Sequence, residues 1–260
     1  MPEGFVGGRT CEPAQPILDA LSCLTGASLG VLLYGSHARG DSLPSSDIDL
    51  LQVVENSPRS YAIGRVSVVA YTVGQLGEMC LTGSLFAWHL RTEGIVLDDP
   101  SGAVSEILRS GAGPNWERTL QRVLVLSQIL DVNEEEFERY ANRLIRTARY
   151  LLRTTVYARA IAAGGKSFSV EIATSEAGVP HLYRMFARDL ALASSWATFN
   201  EYRVAIRELL GPLMNNPYLS LEALAVNAWD LDRQLASLAI QTMMEKSGEI
   251  EYTSLPSPVL

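Results

Sequence analysis

Cysteine is scarce in this 260-residue chain: Cys11, Cys23 and Cys80 are odd in number and lack metal-ligand spacing. That excludes a disulfide framework or a thiolate zinc site and fits free thiols in a reducing compartment. Positive charge is also in deficit. The formal net charge of −8 disfavours general electrostatic attraction to nucleic acid, though it is compatible with a local basic patch. No apolar run is long enough to span a bilayer, and the opening Met-Pro-Glu-Gly-Phe has neither the basic region nor the apolar core of a signal peptide. A cytoplasmic protein without a membrane segment is expected. The length suits one large or two ordinary domains with a substantial core.

What is present is concentrated in residues 35 to 49, which read Gly-Ser-His-Ala-Arg-Gly-Asp-Ser-Leu-Pro-Ser-Ser-Asp-Ile-Asp. A glycine-serine turn is followed, ten residues later, by Asp47 and Asp49. Two residues apart in an extended segment, the aspartates point to one face and can grip Mg²⁺ together. Gly35 lets the backbone approach phosphates closely, and Ser36 offers its hydroxyl and N–H to their oxygens. Arg39 lies in the same loop and is placed to meet a triphosphate, while Asp41 and Ser42 shape the turn and Ser45 and Ser46 brace it. Apolar runs flank the segment at Leu29–Tyr34 and Ile48–Val54, so the motif joins two buried strands.

The segment resembles the nucleotidyltransferase superfamily related to polymerase β, and within it the minimal nucleotidyltransferases and antibiotic-adenylylating enzymes, whose shared pattern is Gly-Ser, ten residues, Asp-x-Asp. The resemblance implies a mixed-sheet palm, ATP or another nucleoside triphosphate as donor, Mg²⁺ held by Asp47 and Asp49, and transfer of a nucleoside monophosphate with release of pyrophosphate. It also implies a third carboxylate, metal ligand and base, on a strand antiparallel to the Asp-x-Asp strand. Here that strand would be Ile63–Thr72, which contains no acid, and Ser67 stands in the expected place. A serine hydroxyl is a poor metal ligand and no general base at neutral pH. Either another carboxylate folds in, with Glu93, Asp98 and Asp99 ahead of Glu78 as candidates, or the acceptor supplies its own activation, or the site binds nucleotide without turnover.

Residues 84–93 read as a helix capped by Ser84 and ended by Gly94, with a short strand after it. His89 and Glu93 are i,i+4 neighbours on it. One assignment makes one of them the base or acceptor contact; the other pairs His89 with a backbone carbonyl or with Glu93.

Texture changes near Ser110-Gly-Ala-Gly-Pro-Asn115, beyond which the pattern is almost wholly helical. A helix from Pro114 or Asn115 to about 130 is expected, then a long one opened by Asn133-Glu-Glu-Glu136 and closed at Gly164-Gly165, then segments near 170–178, 180–198, 200–211, 219–227 and 228–245. On the long helix, Phe137, Tyr140, Ala141, Leu144, Ala148, Leu151 and Thr155 share one face. Arg139, Arg143, Arg146, Arg149 and Arg153 share an arc of about 120° on the other. The stripe is either a solvated face paired with neighbouring acids or a phosphate or partner surface, with Arg146 and Arg149 the pair that would face a nucleotide. Gly165-Lys166-Ser167 is similar to the end of a phosphate-binding loop, but Ala160 stands where its first glycine should be and a helix precedes it. A helix end and turn is the better assignment. The ribonuclease toxin domain that accompanies minimal nucleotidyltransferases needs an arginine four to six residues before a histidine, and none of His37, His89 and His181 has one.

The expected architecture is α+β: a nucleotidyltransferase palm over 1–112, a mixed sheet flanked by helices, then a C-terminal helical bundle over 113–247 and a loose tail over 248–260. The expected function is Mg²⁺-dependent transfer of a nucleoside monophosphate, AMP from ATP, to a hydroxyl of a small molecule or protein. RNA is the least favoured acceptor, and self-association is compatible with the sequence. The opposing expectation is a degenerate nucleotide-binding or partner-binding, antitoxin-like protein.

Overall fold

The computed structural model describes residues 15–187 and 194–244. Cys11 and the expected tail over 248–260 lie outside them. The chain divides into two compact units: residues up to Asn115 together with Lys166–Ser169, and Trp116–Gly165 with the chain from Val170 onward.

In the first unit the order is α1 (Gln15–Leu21), β1 (Gly30–Tyr34), α2 (Gly35–Arg39), β2 (Ile48–Val54), β3 (Arg59–Ile63), β4 (Val66–Thr72), α3 (Val73–Leu81), α4 (Leu85–Glu93), β5 (Ile95–Asp98) and α5 (Ala103–Ser110). The strands form one mixed sheet in the order β3-β4-β2-β1-β5. β1 is buried along its whole length because both faces of the sheet are covered. On one face Val31, Leu33, Ile48, Leu50, Val66 and Val68 pack with Ala20 of α1. On the other, Tyr34 meets Phe86 of α4 edge-on at 5.3 Å, and Tyr71 lies 6.1 Å from the same ring. Gln52, fully buried, is satisfied by Thr25 O at 3.1 Å, Ser28 Oγ at 2.9 Å and the Tyr61 hydroxyl at 3.3 Å.

The segment expected as one strand, Ile63–Thr72, is the end of β3 followed by β4, joined at a two-residue turn where Gly64 supplies a φ of 59°. β3 is an edge strand, exposed at four of its five positions, so it lacks the apolar run that announces a strand. Overlooking it removes one chain reversal. The consequence is a corrected direction: β4 runs parallel to β2, not antiparallel.

The second unit is helical: α6 (Trp116–Leu126) with a 3₁₀ turn Ser127–Leu130, α7 (Glu134–Ala162), α8 (Val170–Glu176), a 3₁₀ turn Pro180–Leu182, α9 (Tyr183–Ala187), α10 (Trp196–Leu210), α11 (Leu221–Ala228) and α12 (Arg233–Met243). α7 starts as the sequence implied, with the Asn133 side chain accepting from Glu136 N–H at 2.8 Å. It ends in a Schellman arrangement: Gly164 has φ 93°, Gly165 N–H bonds Ala160 O at 2.9 Å, and Gly164 N–H bonds Ile161 O at 2.9 Å. Tyr140 breaks its regularity with φ −126° and ψ 21°, its hydroxyl donating to Glu222 at 2.6 Å. The helices expected at 180–198 and 200–211 are partitioned differently, because Ser195 caps Thr198 N–H and starts α10 at Trp196.

The arginine stripe of α7 is not a solvated face. Helices α6, α8, α10 and α12 pack around α7, so its later turns are buried on nearly every side. Only Arg139 of the five is exposed, pairing with Glu135 and Glu222 at 3.6 and 3.7 Å. Arg143 donates to Met244 O at 3.0 Å and Arg149 to Phe186 O at 2.6 Å, while Arg159 reaches Leu209 O at 3.1 Å. The Met244 and Leu209 carbonyls lie at the C-terminal ends of α12 and α10, where helix carbonyls lack intrahelical donors. Arg143 of the stripe, and Arg159 beyond it, therefore close neighbouring helices.

Candidate active site

Strand register builds the centre of the site. Asp49 is paired with Tyr34 of β1 on one side and with Ser67 of β4 on the other. Directly paired residues share a face, so the three side chains form a row across the sheet. Asp49 is half-buried and Asp47, just before the strand, is exposed. The turn from β1 into α2 lies against this row: a Cβ built on Gly35 would fall on Asp49 Oδ2. Gly35 also has φ 74°, a conformation that side chains resist, so glycine is required there twice over.

The loop between α2 and β2 is held by Ser46. Its hydroxyl accepts Leu43 N–H at 2.9 Å, its own N–H bonds Leu43 O at 2.9 Å, and its carbonyl takes the Arg65 guanidinium and lies 3.4 Å from His37 Nε2. Ile48 N–H bonds Arg65 O at 2.8 Å, which fixes the start of β2. Asp47 is thus carried between two anchored residues.

Asp47 and Asp49 supply hard oxygen donors at the N-terminal end of the central strand β2, beside a glycine that leaves room for a ligand. That donor set fits Mg²⁺, which is commonly bound by one or two carboxylates and completed by water and substrate phosphates. Among the described residues no group of three or more His, Cys, Asp or Glu is arranged to hold a metal. Of the alternative third acids, Asp98 is placed away from the site and Asp99 is engaged elsewhere. Asp98 pairs with Val31, at the far end of β1 from Gly35. Asp99 caps α5, accepting Ser105 N–H at 2.8 Å and Ser105 Oγ at 2.7 Å; burial raises its carboxyl, but these bonds outweigh it and hold it below the usual carboxylate range.

Glu93 is the centre of a second cluster. Its Oε2 lies 3.1 Å from Arg39 Nη1 and 3.1 Å from His89 Nε2, and Oε1 accepts Phe168 N–H at 2.8 Å and the Ser167 hydroxyl at 3.3 Å. The His89–Glu93 contact is an ion pair only when the imidazole is protonated. Burial of His89, 3% exposed, drives its pKa below the ordinary histidine value; Glu93 opposes this and Arg39 reinforces it. Burial would raise Glu93, but the contacts from His89, Phe168 N–H and Arg39 outweigh it and the carboxyl ends below its usual range. Burial would likewise lower Arg39, and Asp41 and Glu93 more than compensate. Arg39 also donates to Asp41 Oδ2 at 3.0 Å. The sequence signalled the His89–Glu93 spacing. It gave no signal for Ser167 and Phe168, the latter 75 residues further along.

Arg146 and Arg149 belong to the second unit, both half-buried, with Arg149 bound to Phe186 O. Residues 17–85 match a family model described as a nucleotidyltransferase domain. That span contains Gly35, Ser36, Arg39, Asp47, Asp49 and Ser67. No curated protein matches the chain. Among the described residues no helix is long and apolar enough to cross a membrane.

Proposed function

With a nucleotidyltransferase domain over residues 17–85, we propose that the chain transfers a nucleoside monophosphate, AMP from ATP, to a hydroxyl of a small molecule or protein. The observation that carries this is the contact between Gly35 and Asp49. It brings the phosphate-facing turn and the metal-facing carboxylate to one point, where the α- to γ-phosphates of a donor would bridge them.

In this reading the Gly35 and Ser36 N–H groups and the Ser36 hydroxyl face the phosphate oxygens, and Arg39 adds a planar donor fork. Asp47 and Asp49 hold Mg²⁺, which when bound neutralises charge on the phosphates and on the leaving pyrophosphate. The acceptor hydroxyl attacks the α-phosphorus in line as the bond to pyrophosphate breaks. Its proton has no carboxylate to take it at position 67, so the acceptor's own neighbouring group or water receives it. Glu93 has both oxygens committed to other partners, which argues against it as the base. Donor binding needs only residues of the first unit, so Arg146 and Arg149 are not required for it.

Ser67 beside Asp49 favours one second reading, a domain that binds nucleotide without transferring it. The two separate in an assay with ATP labelled at the α-phosphate and panels of small hydroxylated molecules and proteins. Transfer of label with pyrophosphate release, abolished in Asp49→Asn, supports the enzyme. Binding without transfer in the native chain, with turnover gained in Ser67→Asp, supports the second reading.

A further inference from the structure

Lys166–Ser169 lies between α7 and α8 in the chain but belongs to the first unit. Phe168 is 2% exposed there, and one carboxylate receives the backbone and hydroxyl donors of the segment. Phe168 N–H and the Ser167 hydroxyl both reach Glu93 Oε1, Ser169 N–H bonds Ser167 Oγ at 3.1 Å, and the Phe168 ring stacks on His89 at 4.4 Å. The other oxygen of the same carboxylate takes Arg39, the last residue of the helix that opens with Gly35 and Ser36. Glu93 is 10% exposed on its side chain and Arg39 18%, so solvent does little to substitute for either partner.

We propose that Glu93 is a positioning residue that couples the phosphate-facing loop to the Lys166–Ser169 segment. With Phe168 and Ser167 bound, the carboxylate is locked in the orientation that meets Arg39, whose guanidinium also holds Asp41; with Arg39 bound, it is locked in the orientation that accepts Phe168 N–H. A triphosphate that engages Arg39 and the fastening of the segment are therefore linked, and linkage requires each to shift the other by the same free energy, here in the strengthening direction. The choice of ligand rests on the donor-site reading above, whereas the fastening does not.

Glu93→Gln and Glu93→Ala separate the two halves. Glutamine keeps an oxygen for Phe168 N–H and loses the charge that holds Arg39; alanine loses both. Hydrogen exchange at the Phe168 amide should be near native in Glu93→Gln and about tenfold faster or more in Glu93→Ala. Affinity for Mg²⁺–ATP and for inorganic tripolyphosphate should fall about 5- to 10-fold in Glu93→Gln. A purely electrostatic role predicts the opposite sign, because removing an anion beside Arg39 favours an anionic ligand. Saturating tripolyphosphate should slow Phe168 exchange in the native chain and leave Glu93→Ala unchanged. Tighter binding in Glu93→Gln, or native-like Phe168 exchange in folded Glu93→Ala, overturns the proposal. If the native chain binds neither probe, the donor-site reading fails and the coupling falls with it, while Phe168 exchange still decides whether Glu93 holds the segment.

Discussion

Replacing Gly35 by alanine tests the geometry on which the site depends. At φ 74° the new side chain incurs left-handed strain of about 1–2 kcal/mol. Its Cβ also falls on Asp49 Oδ2, which must swing away at a further cost of about 1–3 kcal/mol. Gly40 provides the internal control: its φ is 82°, yet a Cβ there meets nothing within 4 Å. Gly40→Ala should therefore lose only the strain, about 1–2 kcal/mol. Urea unfolding of the two variants isolates the contact with Asp49 as the difference between them, and Mg²⁺–ATP titration reads its consequence. Gly35→Ala should bind at least about tenfold more weakly, because the displaced Asp49 must be forced back to meet Mg²⁺ and one tenfold step is only about 1.4 kcal/mol, while Gly40→Ala binds as the native chain does. Equal destabilisation of the two, or native affinity in Gly35→Ala, would refute the reasoning.

Three further outcomes are expected. Because His89 has a depressed pKa in the fold, the unfolded chain binds a proton that the folded chain does not once pH drops below about 6.5. Stability should then decline with falling pH, at a slope approaching about 1.4 kcal/mol per unit from this group; urea unfolding at pH 7.5 and 5.5 should show the decline, and His89→Gln should flatten it. The depressed Glu93 carboxyl acts in the same direction but in a more acidic window, below about pH 4.3. Asp232 binds Arg122 through both oxygens at 2.5 and 2.6 Å and caps α12 through Leu235 N–H at 3.0 Å. Asp232→Ala should cost about 2–4 kcal/mol in thermal or urea unfolding, and Asp232→Asn, which keeps the cap, should recover about 1 of it; a loss below about 0.5 kcal/mol in the alanine variant would contradict both roles. Asp47→Asn should weaken Mg²⁺-dependent ATP binding while leaving unfolding within about 0.5 kcal/mol, because its side chain is exposed.

The parts of the fold that the sequence disclosed are those governed by local rules. Ser84 and Gly94 bound α4 as their residue types require, and Asn133 opens α7 through a side-chain cap. The Gly-Ser to Asp-x-Asp spacing placed a turn and two strands correctly because β1 and β2 are covered on both faces and so read as short continuous apolar runs on either side of the turn. What stayed hidden depends on distant partners. β3 has an edge composition and was not separated from β4, so nothing in the pattern corrected the antiparallel direction that the resemblance implied, although Ser67 does sit beside Asp49. The arginine stripe of α7 was open between an acid-paired face and a phosphate or partner surface because the carbonyls that Arg143 and Arg149 reach, at Met244 and Phe186, lie far along the chain. Glu93 looked available as a base because nothing near it in sequence points to Phe168.

Calorimetric titration of the native chain with ATP, with and without Mg²⁺, alongside Asp49→Asn, tests the central claim most directly. Binding that requires Mg²⁺ and is lost in Asp49→Asn is the predicted result. Binding that is unchanged in Asp49→Asn, or no binding to the native chain at all, would contradict a donor site built on Gly35, Ser36, Asp47 and Asp49.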